Sequence, residues 1–265
     1  MSGLEAVKLE GTPVHDYDPV EWKLRQDLTD FYHLADHLGW SEIVFNHISA
    51  RLPGDGSHRY LVNPFGLTYD EITPHNLLTV DVDGNMIGAS EYRANPAGFA
   101  LHGVIHANRP DVGCVAHAHT LEMSAVVNKR NGLAHDNFYG AQLTGRVGYH
   151  DFEGITLYAE EKTRMLASLG NKDVLALRNH GIAVCGPDIP TTFLLLWIVQ
   201  RAAHVQMLSQ SMAGEDIVLD EQIRAKSAAD GIKIAGNPAA AAMVFGAAVR
   251  KMKRERQGSA DKSTL

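Results

Sequence analysis

The chain has 265 residues, 45% of them hydrophobic and 21% charged, with a formal net charge of -7 at pH 7. That apolar share supports a sizeable core, and the acidic balance argues against nucleic acid or an anionic membrane surface as partner. The two cysteines, Cys114 and Cys185, are far apart and form no CxxC pattern, which excludes a disulfide framework.

The opening stretch MSGLEAVKLEGTPVHDYDP lacks the charged-then-apolar pattern of a signal peptide. Residues 1–18 read as an arm ahead of a single domain spanning 19–256. EWKLRQDLTDFYHLADHLGW spaces Leu24, Leu28, Phe31, Leu34 and Leu38 as a helix does, with Gly39 to stop it. EIVFNHISARL alternates as a strand, PGDGS turns the chain and RYLVNP returns as a second strand. LLTVDVDGNMIG predicts another hairpin, turning at Asp83-Gly84. A helix is expected from Pro96 to about Asn108, then a strand at GCVAHAH, helical AEEKTRMLASLG, and strand character through DVLALRNHGIAVCG.

A long helix follows Asp188, an N-cap two residues before Pro190. Its apolar run FLLLWIV, 193–199, is far short of the roughly 20 residues that cross a bilayer. The sequence FLLLWIVQRAAHVQML is apolar on more than one face, as in a helix that is deeply buried or shared with a second subunit. NPAAAAMVFGAAVRKMKRERQ is a last helix whose basic run reads as a solvated end, and QGSADKSTL, 257–265, reads as a disordered tail. The interleaved strands and helices predict an α/β fold with a mixed sheet, and the expected location is cytoplasmic.

His117 and His119 lie one residue apart on the strand CVAHAH. Residues i and i+2 of a strand share a face about 7 Å apart, so two imidazoles there can close on one ion. They can equally be an ordinary hydrogen-bonded pair. His180, at the junction of a strand and a turn, is the best third ligand, with Gly181 letting the backbone approach closely. His102 and His106 sit four apart on a helix, as do His33 and His37, but no glutamate lies between the first pair as in the metalloprotease pattern.

ANRPDVGCVAHAHT, followed about sixty residues on by LALRNHG, resembles the class II aldolase and adducin head family. GWSEIVFNHISARLP, YLVNPFGLTYDEIT and VDVDGNMIG are similar to its earlier segments, so the resemblance runs from about 23 to 215. FNHISAR, NPFGL, NPAGFALH and GYHDFEGI lean toward its adducin-like members. The resemblance implies a three-layer α/β/α sandwich around a mixed, mostly antiparallel sheet. It also implies a homotetramer with sites near subunit interfaces. A divalent metal is implied on His117, His119 and His180, zinc foremost, with manganese or iron acceptable to the same imidazoles. Such a metal chelates two adjacent substrate oxygens and stabilises the charge that develops when a bond beside a carbonyl breaks. The outcome is aldol cleavage, decarboxylation or epimerisation.

One departure bears on the reaction. Where the family's aldolases carry a P-S-S-E pattern, this chain has NPAGFALH, with Gly98 at the glutamate position and Pro96 and Ala97 at the serines. Glycine transfers no proton, and two phosphate donors are missing, so a standard sugar-phosphate aldolase is not expected. Tyr139 and His102 are the candidate proton donors, and Asn46, Gly66 and Arg178 the candidate substrate-binding residues. The expected function is a metal-dependent carbon-carbon lyase on a small hydroxy or oxo acid or sugar-like molecule. The alternative is an adducin-head-like assembly module with a vestigial site.

Overall fold

The computed structural model describes residues 17–54, 58–95, 99–155 and 159–262. The first sixteen residues of the expected arm, the Pro96–Gly98 departure and the last three residues of the expected tail lie outside the described residues. Helix α1, Pro19–His37, opens under Asp18, whose carboxylate accepts from the Val20 amide at 2.8 Å. Eight strands follow: β1 His47–Arg51, β2 Tyr60–Val62, β3 Leu78–Val80, β4 Met86–Ile87, β5 Cys114–Ala118, β6 Val147–His150, β7 Val174–Leu177 and β8 Gly181–Gly186. They form one sheet in the order β4-β3-β2-β1-β5-β8-β7-β6, antiparallel throughout except for the β6–β7 pair. The expected mixed, mostly antiparallel sheet flanked by helices is what the chain adopts.

The strands divide their residues between the two faces of the sheet, as a period of two requires. Cys114, Ala116, Ala176, Ile182 and Val184 join the larger core with α1 and the long helices. Val115, Leu175, Leu177, Ala183 and Cys185 join a second core on the other face. That face is covered by a π-helical turn, Phe99–Gly103, by α2, Val104–Asn108, and by α5, Ala159–Leu169. Two cores on opposite faces of one sheet make three layers.

Both expected hairpins form: β1 pairs with β2, and β3 with β4. At the second turn the Asp81 side chain accepts from the amides of Asp83 and Asn85. β1 is shorter than the alternation suggested, starting only at His47. No forecast covered α3 Leu121–Val127, α4 Phe138–Ala141, strand β6 or α7 Glu221–Ala235. Helix α6, Ile189–Ser211, is capped by Asp188 as expected. The chain's own core buries Phe193, Leu195, Leu196, Ile198 and Val199, which accounts for its two-sided apolar character without a second subunit. α8, Pro238–Lys262, runs past Arg256 into the stretch expected to be disordered, so residues 257–262 are helical.

One phenol locks β1 to its neighbours. The buried Tyr32 oxygen accepts from the amides of Ile48 at 3.1 Å and Asn63 at 3.0 Å. Its proton faces the Ile48 carbonyl and Asn63 Oδ1. Burial raises its pKa, so it remains a phenol. Tyr32→Phe strands two buried amides and is expected to lower unfolding free energy by about 2–4 kcal/mol in urea titrations.

Candidate metal centre

β5 ends in His117 and Ala118, and His119 follows directly. β7 and β8 are joined by the turn Arg178-Asn179-His180, with Asn179 at φ +58°, a conformation asparagine tolerates better than most residues. The turn closes with the His180 amide on the Leu177 carbonyl at 3.1 Å. Gly181 then passes so close to β5 that a Cβ there would stand 2.6 Å from the Ala118 carbonyl oxygen and 2.7 Å from His119 Cδ2. The close approach expected at this glycine is present.

His117, His119 and His180 offer one ring nitrogen each, all within 4.8 Å of one another. His117 Nδ1 bonds the Ile182 carbonyl oxygen at 2.8 Å, and His119 Nδ1 bonds Glu42 Oε2 at 2.6 Å. Neither oxygen has a proton to give, so both Nδ1 atoms are donors, and in the neutral form that binds a metal both Nε2 atoms carry lone pairs. Those lone pairs face each other at 2.7 Å. A cation accepting both removes the repulsion, and the outer partners fix the rings as they do at metal-bound histidines. The donor set fits a divalent ion. Burial, then the neighbouring imidazoles, pushes His117 well below its ordinary pKa. Burial, then His119, pushes His180 down to about 4. Neutral imidazole is the ligand form.

The three rings line a cavity of about 460 Å3 with Glu42, Phe45, His47, Phe65, Asn95, Leu101, Phe152, Gly154, Ile155 and Leu177. The family model for the class II aldolase and adducin N-terminal domain matches residues 26–207. The chain belongs to that family. A protein of Pseudomonas aeruginosa named for the class 2 aldolases is 41% identical over 205 residues, 77% of this chain and 78% of that one. Rat alpha-adducin is 37% identical over 235 residues, 83% of this chain but 32% of the adducin. A solved aldolase II superfamily protein from Pseudomonas syringae superposes with a TM-score of 0.86 at 34% identity, covering 91% of this chain and 96% of that one.

The sequence-derived site residues of this class II aldolase relative are distributed unevenly. His117, His119 and His180 come together. Asn46 is buried and turned away: its Nδ2 donates to the Trp40 carbonyl at 3.0 Å. The residue after it, His47, the first of β1, lines the cavity instead. Gly66 sits at φ +100°, which favours glycine, next to the cavity-lining Phe65. His102 stands behind His47, with Nε2 2.7 Å from His47 Nδ1. Tyr139 packs against the larger core and the Phe138 ring, and is absent from the described cavity lining. Arg178 is also absent from that lining; it pairs with Asp151 at 3.4 Å, lies over the Tyr149 ring and faces another cleft.

His47 and Glu42 were missed from sequence. His47 was legible in principle, since Ile48 and Ala50 enter the larger core and their neighbours His47 and Ser49 must face the other way. Glu42 left no local signal, because its partner lies 77 residues on.

Carboxylate support of a ligand imidazole raises metal affinity. Glu42→Ala is expected to weaken divalent-ion binding by about 10–100-fold in chelator competition, with the fold intact. The buried imidazoles also predict acid sensitivity. Burial, then Arg51, holds His106 down to about 3, and burial holds His102 well below its ordinary value. Unfolded, these rings take protons near pH 6.5, so their contribution is whole above that pH and falls as pH drops toward about 3. For His106 alone the loss from pH 6.5 to pH 5 is about 2 kcal/mol, to be read from urea unfolding at the two pH values.

Proposed function

We propose that this chain is a divalent-metal-dependent lyase that breaks a carbon-carbon bond beside a carbonyl, by aldol cleavage or decarboxylation, in a small hydroxy or oxo acid or sugar-like substrate. The observation that carries the reading is the convergence of three imidazole nitrogens, two of them with their other nitrogen engaged, on a cavity large enough for such a molecule. His117, His119 and His180 would hold the ion, for which zinc is the first choice and manganese or iron the alternatives. When bound, the ion supplies Lewis acidity toward an oxygen that gains negative charge as the bond breaks.

The chain's own residues do the rest. Glu42 and the Ile182 carbonyl orient the ligand rings. Phe45, Phe65, Leu101, Phe152 and Leu177 give the cavity an apolar wall. Among its described lining residues none is Lys or Arg, so a phosphate meets no cationic side chain there. That composition, with Gly98 in place of the family glutamate, favours a substrate other than a sugar phosphate. Phe45, Phe65, Phe152 and Ile155 line the cavity yet stay exposed, which suits a homotetramer in which another copy covers its mouth. Likeness to rat alpha-adducin favours a second reading, an assembly module whose site has lost its reaction.

Elemental analysis after purification without added metal separates the two. The lyase is expected to retain about one divalent ion per chain. His117→Ala, His119→Ala and His180→Ala each lose most of it, and His106→Ala keeps it. Equal metal content in all four variants rules out the site, and a metal-free wild type supports the assembly module. A screen of hydroxy and oxo acids for aldehyde or carbon dioxide release then finds the substrate class. Robust cleavage of fuculose phosphate overturns the reading of Gly98.

A further inference from the structure

Beyond the candidate ligands and their outer partners, the cavity wall is mostly hydrocarbon. Six apolar side chains make it: Phe45, Phe65, Leu101, Phe152, Ile155 and Leu177. Leu101 lies in the π-helical turn and Leu177 ends β7, and both are buried in the second core. Phe152 and Ile155 follow β6. The other two are held by their own backbones, the Phe45 amide on the Glu42 carbonyl at 3.0 Å and the Phe65 amide on the Arg93 carbonyl at 2.7 Å. The turn that brings the Glu42 carboxylate to His119 thus also sets Phe45 at the cavity.

Four of these side chains are exposed, from 42% at Phe65 to 73% at Ile155. Apolar groups left in water around a cavity gain free energy when an apolar body covers them. Polar groups in the described lining are few: the imidazoles of His47, His117, His119 and His180, the Asn95 amide, and Glu42, whose Oε2 is held by His119 Nδ1. The imidazoles are gathered in one cluster. The ring nitrogens of His117, His119 and His180 lie within 4.8 Å of one another, and His47 stacks on His117 with centroids 4.9 Å apart. A ligand with its oxygens at this cluster lays the rest of its body on phenyl rings and leucines. A sugar carries a hydroxyl on nearly every carbon, and each one pressed against such a wall loses its water without finding a partner. An apolar ring loses nothing there. Size agrees: a cavity of about 150 Å3 lined by Leu, Ile and Phe holds benzene, and this one of about 460 Å3 has room for a ring and an acid head.

We propose that the substrate is a hydroxy or oxo acid whose remaining body is apolar and about the size of an aromatic ring. Its oxygens meet the imidazole cluster, and its body packs on Phe45, Phe65, Phe152 and the two leucines. This narrows, and rests on, the lyase reading above, and it sets sugar-like substrates aside. Phe45, Phe65 and Phe152 select the substrate body and take no part in bond breaking.

Hydroxamates present two adjacent oxygens to a zinc ion and differ only in the body behind them. Calorimetric titration of the zinc-loaded full chain with acetohydroxamate, benzohydroxamate and the polyol erythronohydroxamate reads the wall without any turnover. Benzohydroxamate is expected to bind about 10–100-fold more tightly than acetohydroxamate, and the polyol no more tightly than acetohydroxamate. Phe65→Ala and Phe152→Ala are each expected to weaken benzohydroxamate about tenfold and to leave acetohydroxamate within about twofold, with zinc content unchanged. Equal affinity for acetohydroxamate and benzohydroxamate, or tightest binding of the polyol, overturns the proposal and leaves the metal centre standing. A Phe65→Ala chain that changes its oligomeric state yet binds benzohydroxamate as wild type does assigns the ring to a second copy, and equally overturns it. A chain that takes up no zinc fails the lyase reading itself, and the substrate class falls with it.

Discussion

Across the β1–β5 ladder His47 faces His117 directly, and across the β5–β8 ladder His117 faces Ala183. Everything at the site depends on this double register. A slip of one residue along β5 would carry His117 into the larger core and bring Ala116 to the second face. Register is guarded on both sides. The Tyr32 phenol ties β1 to the residue that follows β2, and Gly181 allows β8 to lie against β5 where a side chain would collide with the Ala118 carbonyl. The three candidate ligand imidazoles thus come from the end of β5 and the turn before β8, positions set by backbone hydrogen bonds rather than by side-chain packing.

The parts of this arrangement legible in sequence are those encoded locally. The HAH spacing declares a shared face as soon as CVAHAH is read as a strand, and Asn179-His180-Gly181 declares a turn by its residue types. Family resemblance then joined two segments sixty residues apart. The phase of β1 was less legible. EIVFNHISARL alternates over a longer stretch than the strand occupies, and Asn46, drawn to the cavity by resemblance, spends its amide on the Trp40 carbonyl. Short or polar elements such as α4 and β6 carry too few apolar positions to show a period. Arg178 illustrates a further limit: adjacency to a ligand in sequence says nothing about direction, and across the tight turn its side chain leaves toward Asp151 and Tyr149.

Seven imidazole or hydroxyl groups stand within one stretch of the second face: the three candidate ligands, then His47, His102, Ser49 and His106. A core built for stability alone would place apolar side chains there, as the same face does at Val115, Leu175 and Cys185. Burying so many polar rings is tolerable because several of their nitrogens find partners, and because burial holds His47, His102, His106, His117 and His180 below their ordinary pKa. Local consistency gives way to polarity at one place in the fold, and that place is the cavity.

The polarity of the site also separates two kinds of substrate recognition. A cationic side chain attracts any anion, wherever its charge lies, whereas a neutral N–H and a metal ion hold particular oxygens at particular angles. Among the described residues the cavity offers the second kind: imidazoles and an apolar wall, with Glu42 turned to His119. Glu42 itself disfavours a second negative charge close to it, unless a divalent ion stands between. On the proposed lyase reading, anionic substrates would depend on the metal for binding as well as for reaction, whereas a cavity lined with arginine would bind them without it. On the proposed lyase reading, loss of the ion would remove the positive charge on which both steps rely, so His117, His119, His180 and their outer partners would carry more of the function than ligands do in a site with its own cations.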